Sequence, residues 1–349
     1  MRYKKNLDEV ISRNRKFWTR EATDMILAKI DVEQGQTMRM WERALAPGVC
    51  PDYRKMFEVF REDFQRREHL LDDAIPAARP NIGDYGFGAY AGAEVIFGQG
   101  GAYAKPFLSD LGRVKDLRFD PANRWVRFLE EATRWFAEQS DGLCATSIIE
   151  TCDGLNFAEN VAGSGVFLEI YDHPRELLEL FDFAFDLNVR LVELQRAHIR
   201  RHGGGYVDLH EEWLPGDCVW LSVDAWGNCG PEAFRRLGRG HLQKMIDRFG
   251  AGWLHMHNTH LHLLEDVVTL RGLVGIGILD DPRQPTTFGQ LQRIRQVTGS
   301  IPLQVNCRKE EFLTALEDGS LPRGVMYWID SGVQSVEEAN RIMERVRAA

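Results

Sequence analysis

The sequence lacks the long apolar runs of a membrane protein: no stretch approaches roughly 18 uncharged apolar residues. It also lacks an excess of positive charge. Lys and Arg total 43 against 52 Asp and Glu, a formal charge of −9, so attraction of nucleic acid through the overall field is not expected. The start, MRYKKNLDEVISRNRKFW, is basic, but no apolar segment follows it, so no secretory leader is expected. No Cys-x-x-Cys pair occurs. The six cysteines (Cys50, Cys144, Cys152, Cys218, Cys229 and Cys307) stand far apart. They read as reduced thiols of a cytoplasmic protein, most of them small buried apolar side chains. The phosphate-loop spacing Gly-x-x-x-x-Gly-Lys-Ser/Thr is missing, as are internal repeats, low-complexity segments and an evident linker.

What is present is 349 residues, 44% apolar and 27% charged, the balance of a globular chain able to bury a large core. Residues 1–70 read as mainly helical and charged; Met56, Phe57, Phe60 and Phe64 recur at helical spacing. From residue 120 onward short apolar runs alternate with helices. The runs are LCATSIIE (143–150), YVDLHEEW (206–213), WLHMHN (253–258), LVGIGILD (273–280), IPLQVNC (301–307) and VMYWID (325–330). Helices are expected between them, the longest over 173–201. Strand then helix, repeated every 25–45 residues or so, marks βα units and a parallel sheet. Six runs, with room for two earlier ones, predict a (β/α)8 TIM barrel of class α/β. No glycine fingerprint of an open dinucleotide-binding sheet is seen. The expected organisation is one domain, 1–349, with residues 1–70 as an N-terminal helical extension.

In such barrels the chemistry sits at the C-terminal ends of strands, and residues two apart share a face. In WLHMHN, Leu254 and Met256 share one face and His255 and His257 the other. Two imidazoles side by side at a strand end can chelate Zn²⁺; the same pair also fits a hydrogen-bonded pocket without metal. His260 and His262 follow and either extend the cluster or lie at the surface. In YVDLHEEW the same alternation gathers Asp208, His210 and Glu212 on one face, either as a buried polar network or with Glu212 as base, ligand or anchor. Asp224 lies in a loop rich in Trp and Gly and is a further acidic candidate. Asp330 and Cys307 close two later runs and are candidates for a third metal ligand, although alternation turns Cys307 toward the helices. The catalytic candidates are therefore Glu212, Asp224 and His210. The metal candidates are His255, His257, Asp330 and Cys307. The glycine- and aromatic-rich segment 83–103 is expected to wall the pocket, with Tyr85, Phe87 and Trp226 against substrate.

Three segments, in this order, carry a resemblance: VFLEIYDHPRELLELFD (166–182), FGAGWLHMHNTHLHLLEDV (249–267) and WIDSGVQSVEEANRIMERV (328–346). Together they resemble the uroporphyrinogen decarboxylase superfamily, and in pattern its zinc- and corrinoid-dependent methyltransferase branch. The resemblance implies a (β/α)8 barrel and a zinc site at a His-x-Cys position, where zinc turns a thiol into a thiolate that takes a methyl group from a methylcorrinoid. Here His255 keeps the first position and His257 stands where the branch has cysteine. Near the closing strand, Asp330 stands where another cysteine is expected, or Cys307 reaches in.

The decarboxylases of the superfamily instead resemble one another in an arginine-rich N-terminal motif. Neither RNRKFWTRE (13–21) nor TMRMWERALAPG (37–48), with Arg13, Arg15, Arg39 and Arg43, reproduces it. The leading expectation is thus a cytoplasmic, zinc-assisted methyltransferase or demethylase working with a corrinoid protein on a small-molecule substrate. The rivals are a metal-free decarboxylase of a polycarboxylate and a non-catalytic binding protein on the same barrel.

Overall fold

A computed structural model describes residues 1–32, 51–82, 86–98 and 101–349. Tyr85, Arg39, Arg43 and Cys50, and part of the 83–103 segment, lie outside the described residues.

The strands are β1 (Ile26–Ile30), β2 (Ala77–Ala78), β3 (Glu94–Gly98), β4 (Gly101–Lys105), β5 (Ala145–Thr146), β6 (Gly205–Val207), β7 (Trp213–Pro215), β8 (Val219–Ser222), β9 (Gly252–His257), β10 (Leu273–Leu279), β11 (Leu303–Arg308) and β12 (Val325–Ser331). Six of them form one parallel sheet in the order β1-β12-β11-β10-β9-β8. Helices lie between successive strands of this sheet, as parallel pairing requires, since each return to the same edge needs a crossover. The fold is mixed α/β, and none of its described helices is long and apolar enough to cross a membrane.

The strands are short aliphatic runs buried on both faces, the pattern of a sheet covered by helices on one side and packed side chains on the other. Leu254, Met256, Ile276, Ile278, Leu303, Val305, Cys307, Tyr327 and Ile329 pack into one large core with the helices. The alternate positions Leu27, Trp220, Trp253 and Met326 form a second cluster. The helix Pro174–Arg196 starts on its proline and buries Leu177, Leu180, Phe181, Ala184, Leu187 and Leu191, which share one helical face.

Two further parallel strands, β2 and β5, pair with each other. Side chains link this pair to the two ends of the main sheet. Asp73 and Asp72 accept from Ala28 N and Ile30 N of β1, and Thr151 donates to Trp220 O of β8.

Two expectations are corrected. Residues 1–70 are helical at Leu7–Trp18 and Tyr53–Arg66, but Ile26–Ile30 between them is a strand of the main sheet, paired along its length with β12. YVDLHEEW is not one strand. It is the antiparallel hairpin β6–β7, Val207 opposite Trp213, and residues 208–211 make its turn. Asp208 Oδ1 accepts from both His210 N and Glu212 N at 2.9 Å, and Glu211 takes a positive φ of 67°. An aspartate bonding the backbone just ahead of it stabilises a turn over an extended chain. The sheet strand of this region is the next apolar run, VWLS (219–222).

Candidate metal centre

β8 and β9 run parallel with Trp220 opposite Trp253 and Ser222 opposite His255. This register brings the chain just beyond β8 beside the end of β9. Asp224 stands there, and its Oδ1 lies 3.6 Å from His255 Nε2 and 3.7 Å from His257 Nε2. The two Nε2 atoms are 3.1 Å apart. One ligand atom from each of the three residues falls within 4.8 Å of the others. His255 and His257 are together as alternation predicted. Asp224, expected as a catalytic candidate, stands with them as a third possible donor.

The electrostatics favour a neutral, metal-competent imidazole at His255. Burial pushes His255 down to about 4, against the pull of Asp224, so it is uncharged at neutral pH. Its ring stacks on the Trp220 indole, 5.2 Å between centroids at 18°, and its Nδ1 is buried without a hydrogen-bond partner. His257 has Asp281 Oδ1 2.9 Å from its Nδ1. Burial works against ionisation of Asp281, but the Thr259 hydroxyl and His257 outweigh it and hold the carboxyl below its usual value. Asp224 Oδ1 is buried with no hydrogen-bond donor. Three acceptor-type atoms converging in this way, one of them an orphaned carboxylate oxygen, fit a divalent cation. Two imidazoles and a carboxylate form a set used by Zn²⁺ and by non-haem Fe²⁺.

Beyond the three donors, His257 N donates to His260 Nδ1 at 3.3 Å, and burial lowers the His260 pKa. Gly227 faces that ring so closely that any Cβ there would overlap it. His262 contacts the Cys229 carbonyl at 3.0 Å.

His210 reaches from the hairpin turn to within 6.0 Å of the His255 ring, between Trp220, Trp253 and Trp328. Burial, then Lys29, drives its pKa well below the ordinary value. Lys29 Nζ donates to His210 O at 2.7 Å and lies 3.6 Å from the Trp328 ring centre. Glu212 is fully buried, with both carboxylate oxygens unpartnered. Burial and then Asp208 raise its pKa well above the ordinary value. It does not belong to the metal cluster.

No family model and no curated protein matches this sequence. The site therefore stands on its own geometry.

Four further expectations are corrected. Cys307 lies on the helix-facing side, buried in the main core, and burial raises its thiol well above the ordinary value. Asp330 is exposed and takes hydrogen bonds from Asn306 Nδ2 and Ser331 Oγ, both at 2.9 Å. Neither is in the cluster. Phe87 and Trp226 are core residues, their rings packed on Tyr90 and Phe157 and on Phe181 and Phe234.

Sequence reasoning missed the joining of Asp224 to the histidines and missed Asp281 altogether. The signal for Asp224 was its spacing: Trp220, Ser222 and Asp224 alternate along one apolar run. Asp281 is the second of two acids that directly follow β10.

Proposed function

We propose that the chain is a cytoplasmic, zinc-dependent methyltransferase or demethylase built on a closed (β/α)8 barrel. The observation that carries the metal part is the convergence of Asp224 Oδ1, His255 Nε2 and His257 Nε2, with the carboxylate oxygen otherwise orphaned. The barrel reading rests on eight short strands, β1, β2, β5 and β8 to β12, of which six share one parallel sheet and two pair beside it. The Asp72, Asp73 and Thr151 bridges to β1 and β8 support the same reading. The methyl-transfer part rests on the resemblance of the three sequence segments.

The cation would be held by Asp224, His255 and His257. The chemistry it supplies when bound is to lower the pKa of a small thiol so that the thiolate exists at neutral pH. The carboxylate of Asp224 would offset part of its charge, and the neutral His255 would offer a lone pair without competing for a proton. Beneath the ligands the packed rings of His210, Trp220, Trp253 and Trp328 keep water from the inner side of the site. The methyl group would be exchanged between that thiol and a corrinoid carried by a partner protein.

The metal-free decarboxylase reading has less support, because among the described residues three arginines that could hold a polycarboxylate are already engaged. Arg13 binds Asp73, Arg79 binds Glu150, and Arg67 binds both Glu211 and Asp63. To test the proposal, zinc-loaded protein is mixed with methylcobalamin and a small thiol, and the methylcobalamin absorbance is followed. The expected result is thiol-dependent loss of that absorbance, abolished in Asp224→Ala and His255→Ala. Metal-independent turnover of uroporphyrinogen, with no methyl transfer, would overturn it.

A further inference from the structure

Resting on the metal reading above, we propose that Asp281 is the positioning residue of the centre. Its carboxylate, braced by Thr259, holds the His257 imidazole in one tautomer and one rotation, so that Nε2 faces Asp224 and His255. The geometry is direct. Asp281 Oδ1 lies 2.9 Å from His257 Nδ1, and the Thr259 hydroxyl donates to Asp281 Oδ2 at 2.5 Å. An anionic acceptor at Nδ1 requires the proton there, which leaves the Nε2 lone pair for a cation.

Asp281 is itself fixed from behind. Its backbone N donates to Asn258 Oδ1 at 3.0 Å, and Asn258 Nδ2 donates to Asp280 Oδ1 at 3.2 Å and to Pro285 O at 3.0 Å. Thr287 donates to the same Asp280 oxygen through both N and Oγ1, at 2.7 and 2.5 Å. The two acids at the end of β10 thus divide the work. Asp280 ties its own loop to the chain after β9, and Asp281 reaches across that junction to the histidine.

The two imidazoles are oriented by different means. His255 has no partner on Nδ1 and is held by its stack on Trp220, whereas His257 is held by a carboxylate. Loss of Asp281 therefore frees one ligand and leaves the other in place.

The test uses the full chain stripped of metal and titrated with Co²⁺ as a coloured substitute. Asp281→Asn, which keeps the shape but removes the charge, is expected to lower Co²⁺ affinity roughly ten- to a hundredfold and to shift the visible absorption bands of the complex. The metal-free melting temperature should stay near that of the wild type. Asp281→Glu should restore part of the affinity. Thr259→Val, which removes only the brace, should cause a smaller loss of the same kind and serves if Asp281→Asn does not fold. Wild-type affinity and an unchanged spectrum in Asp281→Asn or in Thr259→Val would overturn the inference while leaving the metal site standing. A wild-type chain that takes up no Co²⁺ would overturn both.

Discussion

At the residue scale, function depends on which face a side chain occupies more than on its type. Cys307 is the best zinc ligand by chemistry in its region, yet it alternates with Leu303 and Val305 and is sealed among core side chains. Asp224 is a weaker donor by chemistry but sits where three strand-end groups converge. Cys307→Ala is therefore expected to leave metal content unchanged and to cost about 1 kcal/mol of stability, as for deletion of one buried atom group. Metal analysis beside a denaturant melt checks this; loss of metal in that variant would return Cys307 to the ligand set. Gly227 gives a second residue-scale prediction. A Cβ there overlaps the His260 ring, which lies 5.3 Å from the His257 ring. Gly227→Ala should cost ~1–3 kcal/mol by overpacking and weaken metal binding with it.

At the scale of elements, Asp153 and the helix it starts show how burial sets a pH dependence. Asp153 caps the helix Gly154–Ala162 through Leu155 N and Asn156 N. Asn156 in turn accepts from Ala225 N at 2.8 Å, which ties that helix to the segment carrying Asp224. Burial, with a contribution from Asp224, raises Asp153 to about 7. A carboxyl that is easier to protonate when folded stabilises the fold below its unfolded value of 3.8, and that stabilisation is lost as pH rises toward about 7. Asparagine caps as well as aspartate, so Asp153→Asn should raise the melting temperature more at pH 8 than at pH 5. The limit is about 4 kcal/mol, at about 1.4 kcal/mol per pH unit. An equal effect at both pH values would refute the assignment. Elements were legible in the sequence where one period ruled. WLHMHN alternated cleanly and gave both histidines. YVDLHEEW alternated too, but the Asp208 side chain captures the backbone of His210 and Glu212 and turns the chain. That competition between a side-chain acceptor and the strand ladder leaves no trace in hydrophobic periodicity. β1 was missed for a different reason: ILAKI is only five residues long and lies inside a charged, helix-rich stretch.

At the scale of the molecule, β1 joins the first part of the chain to the last. It pairs along all five residues with β12, and Arg323 near the start of β12 donates to Asp24 O. The N-terminal region is thus part of the sheet and not an appendage. Deleting residues 1–32 exposes the edge of β12 and removes Leu27, Phe17 and Trp18 from the inner cluster. Such a chain is expected to lose its cooperative thermal transition, read by circular dichroism. A truncated chain that melts like the full one would show that the first strand is dispensable. The order of the later strands was legible from sequence because each βα unit repeats the same apolar signal. The links from the neighbourhood of β2 and β5 to β1 and β8 were not, since they run in part through polar side chains, Asp72, Asp73 and Thr151, that no hydrophobic pattern reports.

The proposed function stands on one divalent-cation site formed by Asp224, His255 and His257. Its most direct test is elemental analysis of the purified protein after loading with Zn²⁺ and removal of excess. The expected result is one zinc per chain in the wild type and none retained in Asp224→Ala, His255→Ala or His257→Ala. A wild type that retains no metal, or variants that retain as much as the wild type, would contradict it.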